Sequence, residues 1–117
     1  MAGVLYKENL EQKLKNVLQT IEGKLKKDYN DMPKGYGKGF RQGLVEGKCF
    51  ILTLLVSEDE ISKSNVEELL KTLTTEYHEY LNGKDEADDD LFYWFYDGKA
   101  QALVEIKVNI RRSIEND

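Results

Sequence analysis

A mainly α-helical fold of four helices, built as a duplicated αα-hairpin, is predicted by three observations in this chain of 117 residues. Apolar residues recur at alternating spacings of three and four, the period of a helix with one buried face. Two stretches occur twice in the same order. Small residues stand four apart in both copies, a spacing that has meaning on a helix. The competing α+β reading is a helix followed by a β-hairpin, twice over.

The repeated stretches are Asn9-Leu-Glu-Gln-Lys-Leu-Lys-Asn-Val-Leu18 with Asn65-Val-Glu-Glu-Leu-Leu-Lys-Thr-Leu-Thr74, and Gln42-Gly-Leu-Val-Glu-Gly-Lys48 with Gln101-Ala-Leu-Val-Glu-Ile-Lys107. Their offsets are 56 and 59 residues, a difference that one connecting loop absorbs. The chain therefore reads as a single domain, 1–117, with an internal repeat of 1–57 and 58–117.

The first helix is expected over 3–29, where Leu10, Leu14, Val17, Ile21 and Leu25 form one stripe. It should end near Asn30-Asp31-Met-Pro33, because the residue before a proline is driven out of helical geometry. The second is expected over 36–56. There Gly35, Gly39, Gly43 and Gly47 would form a ridge without side chains, which is stable only if another helix packs closely on it, since each interior glycine costs about 1 kcal/mol. On a strand the same glycines would share a face, and Glu46-Gly47 could turn into a buried strand.

Ser64 and Glu67 match a capping box for the third helix, whose stripe is Leu69, Leu70, Leu73, Tyr77, Tyr80 and Leu81. A start one or two turns earlier also fits, at Ser57-Glu-Asp-Glu60, and Asn82-Gly83 is a good stop. For the fourth, Asp88-Asp89-Asp90 suits a helix N-terminus, and Leu91, Phe95, Gly98, Ala102, Ile106, Ile110 and Ile114 make a stripe. Strict alternation of Val104, Ile106, Val108 and Ile110, with Asp97-Gly98 before it, keeps the hairpin open. The echo favours helices, because Gly39 and Gly43 align with Gly98 and Ala102. These residues and Gly47 are the candidates for helix packing or for a homodimer contact.

The net charge of −5 hides an uneven distribution. Residues 1–48 hold ten Lys/Arg against six Asp/Glu, 49–98 hold three against thirteen, and the rest four against three. Such a pattern disfavours direct nucleic-acid binding. The single cysteine, Cys49, allows no intramolecular disulfide and reads as a buried apolar residue of a cytoplasmic protein. The apolar run 49–56 is too short for a bilayer, and the N-terminus lacks signal-peptide order, so no membrane association is expected.

No residues form a recognisable reaction centre, so a non-enzymatic protein without metal or cofactor is expected. Lys34-Gly-Tyr-Gly-Lys-Gly-Phe-Arg-Gln-Gly43 has neither P-loop nor dinucleotide spacing. His78, the only histidine, has no nucleophile near it in sequence. The segment most suited to a partner is the acidic stretch Asp85, Glu86, Asp88, Asp89 and Asp90 with the aromatic run Phe92-Tyr-Trp-Phe-Tyr96. Five consecutive aromatics cannot all face one core, so Tyr93, Trp94 and Tyr96 are candidate anchors. With the carboxylates, they could imitate nucleic-acid charge and occupy a basic groove on a DNA- or RNA-binding protein.

Glu76, Glu79, Glu86 and Asp89 resemble the Glu-x-x-Glu and Glu-x-x-Asp pairs of the MazG-like all-α nucleotide pyrophosphatases. That resemblance implies a Mg-dependent enzyme with the two pairs on facing helices. Only six residues separate Glu79 from Glu86. Tyr36-Gly-Lys-Gly-Phe-Arg-Gln-Gly-Leu-Val-Glu-Gly and Tyr96-Asp-Gly-Lys-Ala-Gln-Ala-Leu-Val-Glu are similar to a pattern in small helical phage and prophage proteins, some of them anti-CRISPR or other anti-defence inhibitors. This implies an acidic inhibitor or modulator of a larger basic partner such as a bacterial defence nuclease. A structural or assembly protein is the third reading.

Overall fold

The computed structural model describes residues 2–115, with side chains from residue 10 onward. Four helices follow one another, α1 (Ala2–Leu25), α2 (Tyr36–Ser57), α3 (Lys63–Glu86) and α4 (Asp90–Glu115), with no strand among the described residues. The helical reading holds and both hairpins are excluded. Along α4 the buried residues are Gly98, Ala100, Ala102, Leu103, Ile106 and Ile110, whose spacing is helical from Ala102 onward, while Val108 of the alternating series is exposed.

Consecutive helices run antiparallel. Arg41 reaches the end of α1 while Lys48 pairs with Glu22 further back, and Lys84 pairs with Asp97 while Tyr77 lies under Lys107. α2 and α4 consequently run parallel, and theirs is the most extensive contact between two helices of the bundle. Small residues make that approach possible. A Cβ on Gly39 would collide with the Phe95 carbonyl, one on Gly43 would lie 2.7 Å from both Ala102 Cβ and Lys99 O, and one on Gly47 would strike Ile106 Cδ1. A Cβ on Gly98 would in turn strike Tyr36 O. The glycine ridge is therefore filled from within the chain, and a homodimer must use another face.

Residues that the echo aligns meet one another across this contact: Gly39 with Gly98, Gly43 with Ala102, Gly47 with Ile106. The aligned glutamates behave alike as well. Glu105 accepts a hydrogen bond from Lys24 of α1 (2.9 Å), and Glu46 accepts one from Tyr80 of α3, the residue 56 positions after Lys24. This is the arrangement a twofold axis along α2 and α4 would give.

The core lies around that axis. Leu10, Leu14, Val17 and Ile21 of α1, Phe40, Leu44 and Ile51 of α2, Val66, Leu69 and Leu73 of α3, and Leu103, Ile106 and Ile110 of α4 are all buried in one cluster. Burying each Leu or Ile stabilises by about 2 kcal/mol relative to exposure.

Helix ends depart from the sequence-based expectation at three places. α1 stops at Leu25 rather than near Pro33 because tertiary donors take its last carbonyls. Arg41 donates to Leu25 O (3.0 Å) and to Lys27 O, and the Tyr29 hydroxyl donates to Lys24 O (2.8 Å). α3 starts at a different capping box: Ser62 Oγ accepts from Asn65 N–H (3.1 Å), and Asn65 Oδ1 accepts from Ser62 N–H (2.9 Å). Ile61 and Val66, at the two positions of a hydrophobic staple, are both buried. Finally, α3 runs through Gly83 to Glu86. Gly83 is not a stop but a seat for Tyr96, whose ring would lie 3.0 Å from an added Cβ.

Candidate protein-interaction surface

One end of the bundle gathers the C-terminal turns of α1 and α3, the N-terminal turns of α2 and α4, and the connections 26–35 and 87–89. The longer connection reaches α2 through Gly35, whose φ of +95° favours glycine and whose missing side chain lets Leu91 O approach. This contact sets the first connection against the start of α4. The shorter one ends in Asp89, whose Oδ1 accepts from Phe92 N–H (2.9 Å) and so caps α4.

Asp85, Glu86, Asp88, Asp89 and Asp90 are all exposed here. None of them makes an ion pair among the described residues. They border an apolar patch whose main members are Leu91, 45% exposed, and Phe92, 55% exposed, with Met32 at 42% on the other connection. On the far side of the patch the exposed charges are mixed with a basic excess, Lys26, Lys27, Lys34, Lys38 and Arg41 against Asp28 and Asp31. The end is thus acidic on the α3–α4 side and basic on the α1–α2 side.

The aromatic run divides along the helix. Phe92 faces water. Tyr93 and Trp94 are half-buried and meet edge to face at 5.1 Å. Tyr96, expected as an anchor, turns beneath α3 instead, against Gly83 and with its ring 6.5 Å from that of Tyr80. Lys84 fastens the segment: its ammonium bonds Asp97 Oδ1 at 2.9 Å and lies 5.0 Å from the Tyr93 ring centroid. The bond to the Asp97 carboxylate holds the Lys84 ammonium above the usual lysine range.

A second polar group lies deeper, where α2, α3 and α4 meet. Lys99 Nζ stands 3.4 Å from Glu46 Oε1 and over the rings of Tyr80 (4.3 Å) and Phe95 (5.2 Å), and the Tyr80 hydroxyl donates to Glu46. Burial, followed by the hydrogen bond to Glu46, pushes the Tyr80 phenol above its ordinary value. The group joins three helices, and its members are already paired with one another.

Glu76, Glu79 and Glu86 all belong to the single helix α3, with Asp89 in the short turn after it. The two pairs of the pyrophosphatase resemblance are therefore not on facing helices, and no three His, Cys, Asp or Glu among the described residues are grouped to hold a metal ion. His78 is exposed beside Tyr77. No described helix is long and apolar enough to cross a membrane. Cys49, expected to be buried, is exposed, because α2 turns that position away from α1, α3 and α4.

Leu91, expected in the buried stripe of α4, is exposed instead, and Phe92, which the sequence places in the aromatic run but not among its anchors, is the most exposed member of that run. The signal that could have found them is the cap: with Asp89 as the N-cap, Leu91 and Phe92 fall in the first turn of α4, beside the connection rather than within the bundle. No family model, curated protein or solved structure matches this chain.

Proposed function

We propose that this chain is a non-enzymatic binding protein that inhibits or modulates a larger partner, and that it docks a basic surface of that partner onto its acidic end. The observation that carries this reading is the combination of exposed Leu91 and Phe92 with five exposed carboxylates beside them that make no ion pair among the described residues. Apolar anchors rimmed by unpaired charge are the composition of an interface whose core supplies affinity and whose rim selects the partner. The lysines across the patch give the docking a direction, since a basic partner must approach from the α3–α4 side. A DNA- or RNA-binding protein of cytoplasmic bacterial defence, such as a nuclease, has the required charge.

Affinity capture from host extract with wild-type chain, followed by identification and titration of the captured protein, tests the reading. Phe92→Ser and the triple Asp88→Asn, Asp89→Asn, Asp90→Asn variant should each weaken binding by tenfold or more, about 1.4 kcal/mol. Nucleic acid should compete with the chain for the same partner. Undiminished binding by both variants would remove this end from the interface.

A further inference from the structure

Along α2, Val45, Cys49, Leu52 and Val56 fall at spacings of four, three and four, the a and d positions of a coiled-coil seam. They point outward: Val45 is 41% exposed, Leu52 40%, Val56 85%, and Cys49 is exposed. The other faces of α2 are occupied. Gly39, Gly43 and Gly47 receive α4, Phe50 and Leu54 line a groove with Leu69 of α3, and Lys48 pairs with Glu22 of α1.

We infer that this outer face is where two copies of the chain associate, seam against seam and antiparallel, about a twofold axis between Cys49 and Leu52. Three features favour a second copy as the occupant. The helix carries no charge from Cys49 through Ser57, so two chains of net charge −5 meet there without the repulsion that other faces impose. A seam of this period is filled by a helix of the same period, and α2 supplies one identical to itself. The matching positions on α4 are Val104, Val108, Arg111 and Glu115, whose two charges interrupt the pattern, so of these two echoed helices α2 is the one that presents it.

Charge at the ends fixes the direction. Lys38 and Arg41 precede the seam, and Glu58 and Asp59 follow it, all exposed. An antiparallel pair sets the basic start of each helix near the acidic end of the other, twice by symmetry, whereas a parallel pair would align like with like. In this register Cys49 of one copy lies opposite Leu52 of the other. Four side chains per copy fall below the roughly 800 Å² per partner of a standard interface, so the dimer is of the weak class.

Sedimentation of the full chain from about 10 μM to about 1 mM covers the scale of weak association. The wild type should pass from monomer to dimer, and Leu52→Glu should remain monomeric throughout with an unchanged helical circular dichroism signal. Asp59→Lys should weaken the dimer several-fold. Leu52→Cys, with the native Cys49, should give a disulfide-linked dimer on mild oxidation. A wild-type chain that stays monomeric over the whole range overturns the proposal. So does a dimer indifferent to Leu52→Glu, or the absence of a bridge from Leu52→Cys. Phe92→Ser should leave the dimer intact, which separates this contact from the acidic end.

Discussion

The two hairpins share a plan and differ in how they use it. In α1–α2 the central helix carries glycines at 39, 43 and 47; in α3–α4 the aligned positions carry Gly98, Ala102 and Ile106. Where the two helices come closest, small residues face each other, Gly39 with Gly98 and Gly43 with Ala102, and the backbones themselves fill the space. Further along, Gly47 opposite Ile106 lets one copy supply the volume that the other omits. The ends differ too. The first hairpin turns through the connection 26–35 and relies on Arg41 and Tyr29 to satisfy the carbonyls of α1. The second turns in 87–89, with Asp89 as the cap and the unpaired carboxylates beside it. The comparison teaches that shared positions build the scaffold, and that the acidic, aromatic end is where the second hairpin has no counterpart in the first.

The largest break in that arrangement is a side chain on the ridge. Gly39→Leu should cost about 3 kcal/mol or more and abolish cooperative thermal unfolding, because the obstacle is the backbone of Phe95. Gly47→Ala meets only the end of the Ile106 side chain, so its cost should be about 1–2 kcal/mol. Ile106→Val in the same chain should recover part of it. A denaturant melt of the two single variants and the double variant measures the coupling, and simple additivity would mean that the pair does not interlock.

Ser62→Ala should lower stability by about 1 kcal/mol, the worth of an N-cap. Alkaline pH tests the second hairpin's polar contacts. Tyr80 and Lys84 both have folded pKa values above their unfolded ones, so their contribution is complete below those unfolded values and is lost as pH rises through the folded ones. Stability should therefore fall above about pH 10. In Tyr80→Phe that fall should be shallower, and an unchanged slope in urea melts would remove Tyr80 as a cause. The smallest effect belongs to Gly23→Ala in α1, where nothing lies within 4 Å of an added Cβ. It should stabilise by about 0.5–1 kcal/mol through helix propensity, the opposite sign from the ridge.

The four helices were legible because each buries a stripe, and a stripe leaves a 3–4 period in the sequence: Leu10, Leu14, Val17 and Ile21 are buried as their spacing requires. Capping was less legible. Ser64 and Glu67 fit the familiar pattern, but Ser62 and Asn65 won because they bring Ile61 and Val66 into the core together. At the acidic end the residues were found and their orientation was not. Tyr96 had the composition of an anchor, yet Gly83, thirteen positions earlier, offered it a seat.

By itself the sequence favoured four helices over a repeated helix and hairpin, and determined the separation of basic from acidic segments and the register in which the echoed residues recur. All three depend on local period or on charge, which the chain carries position by position. Tertiary structure alone decided which glycines are ridge and which are seat, where α1 ends, and that Phe92 rather than Tyr96 meets water. Each of those depends on which side chain arrives from another helix, and pairwise contact between distant segments leaves no period in the sequence.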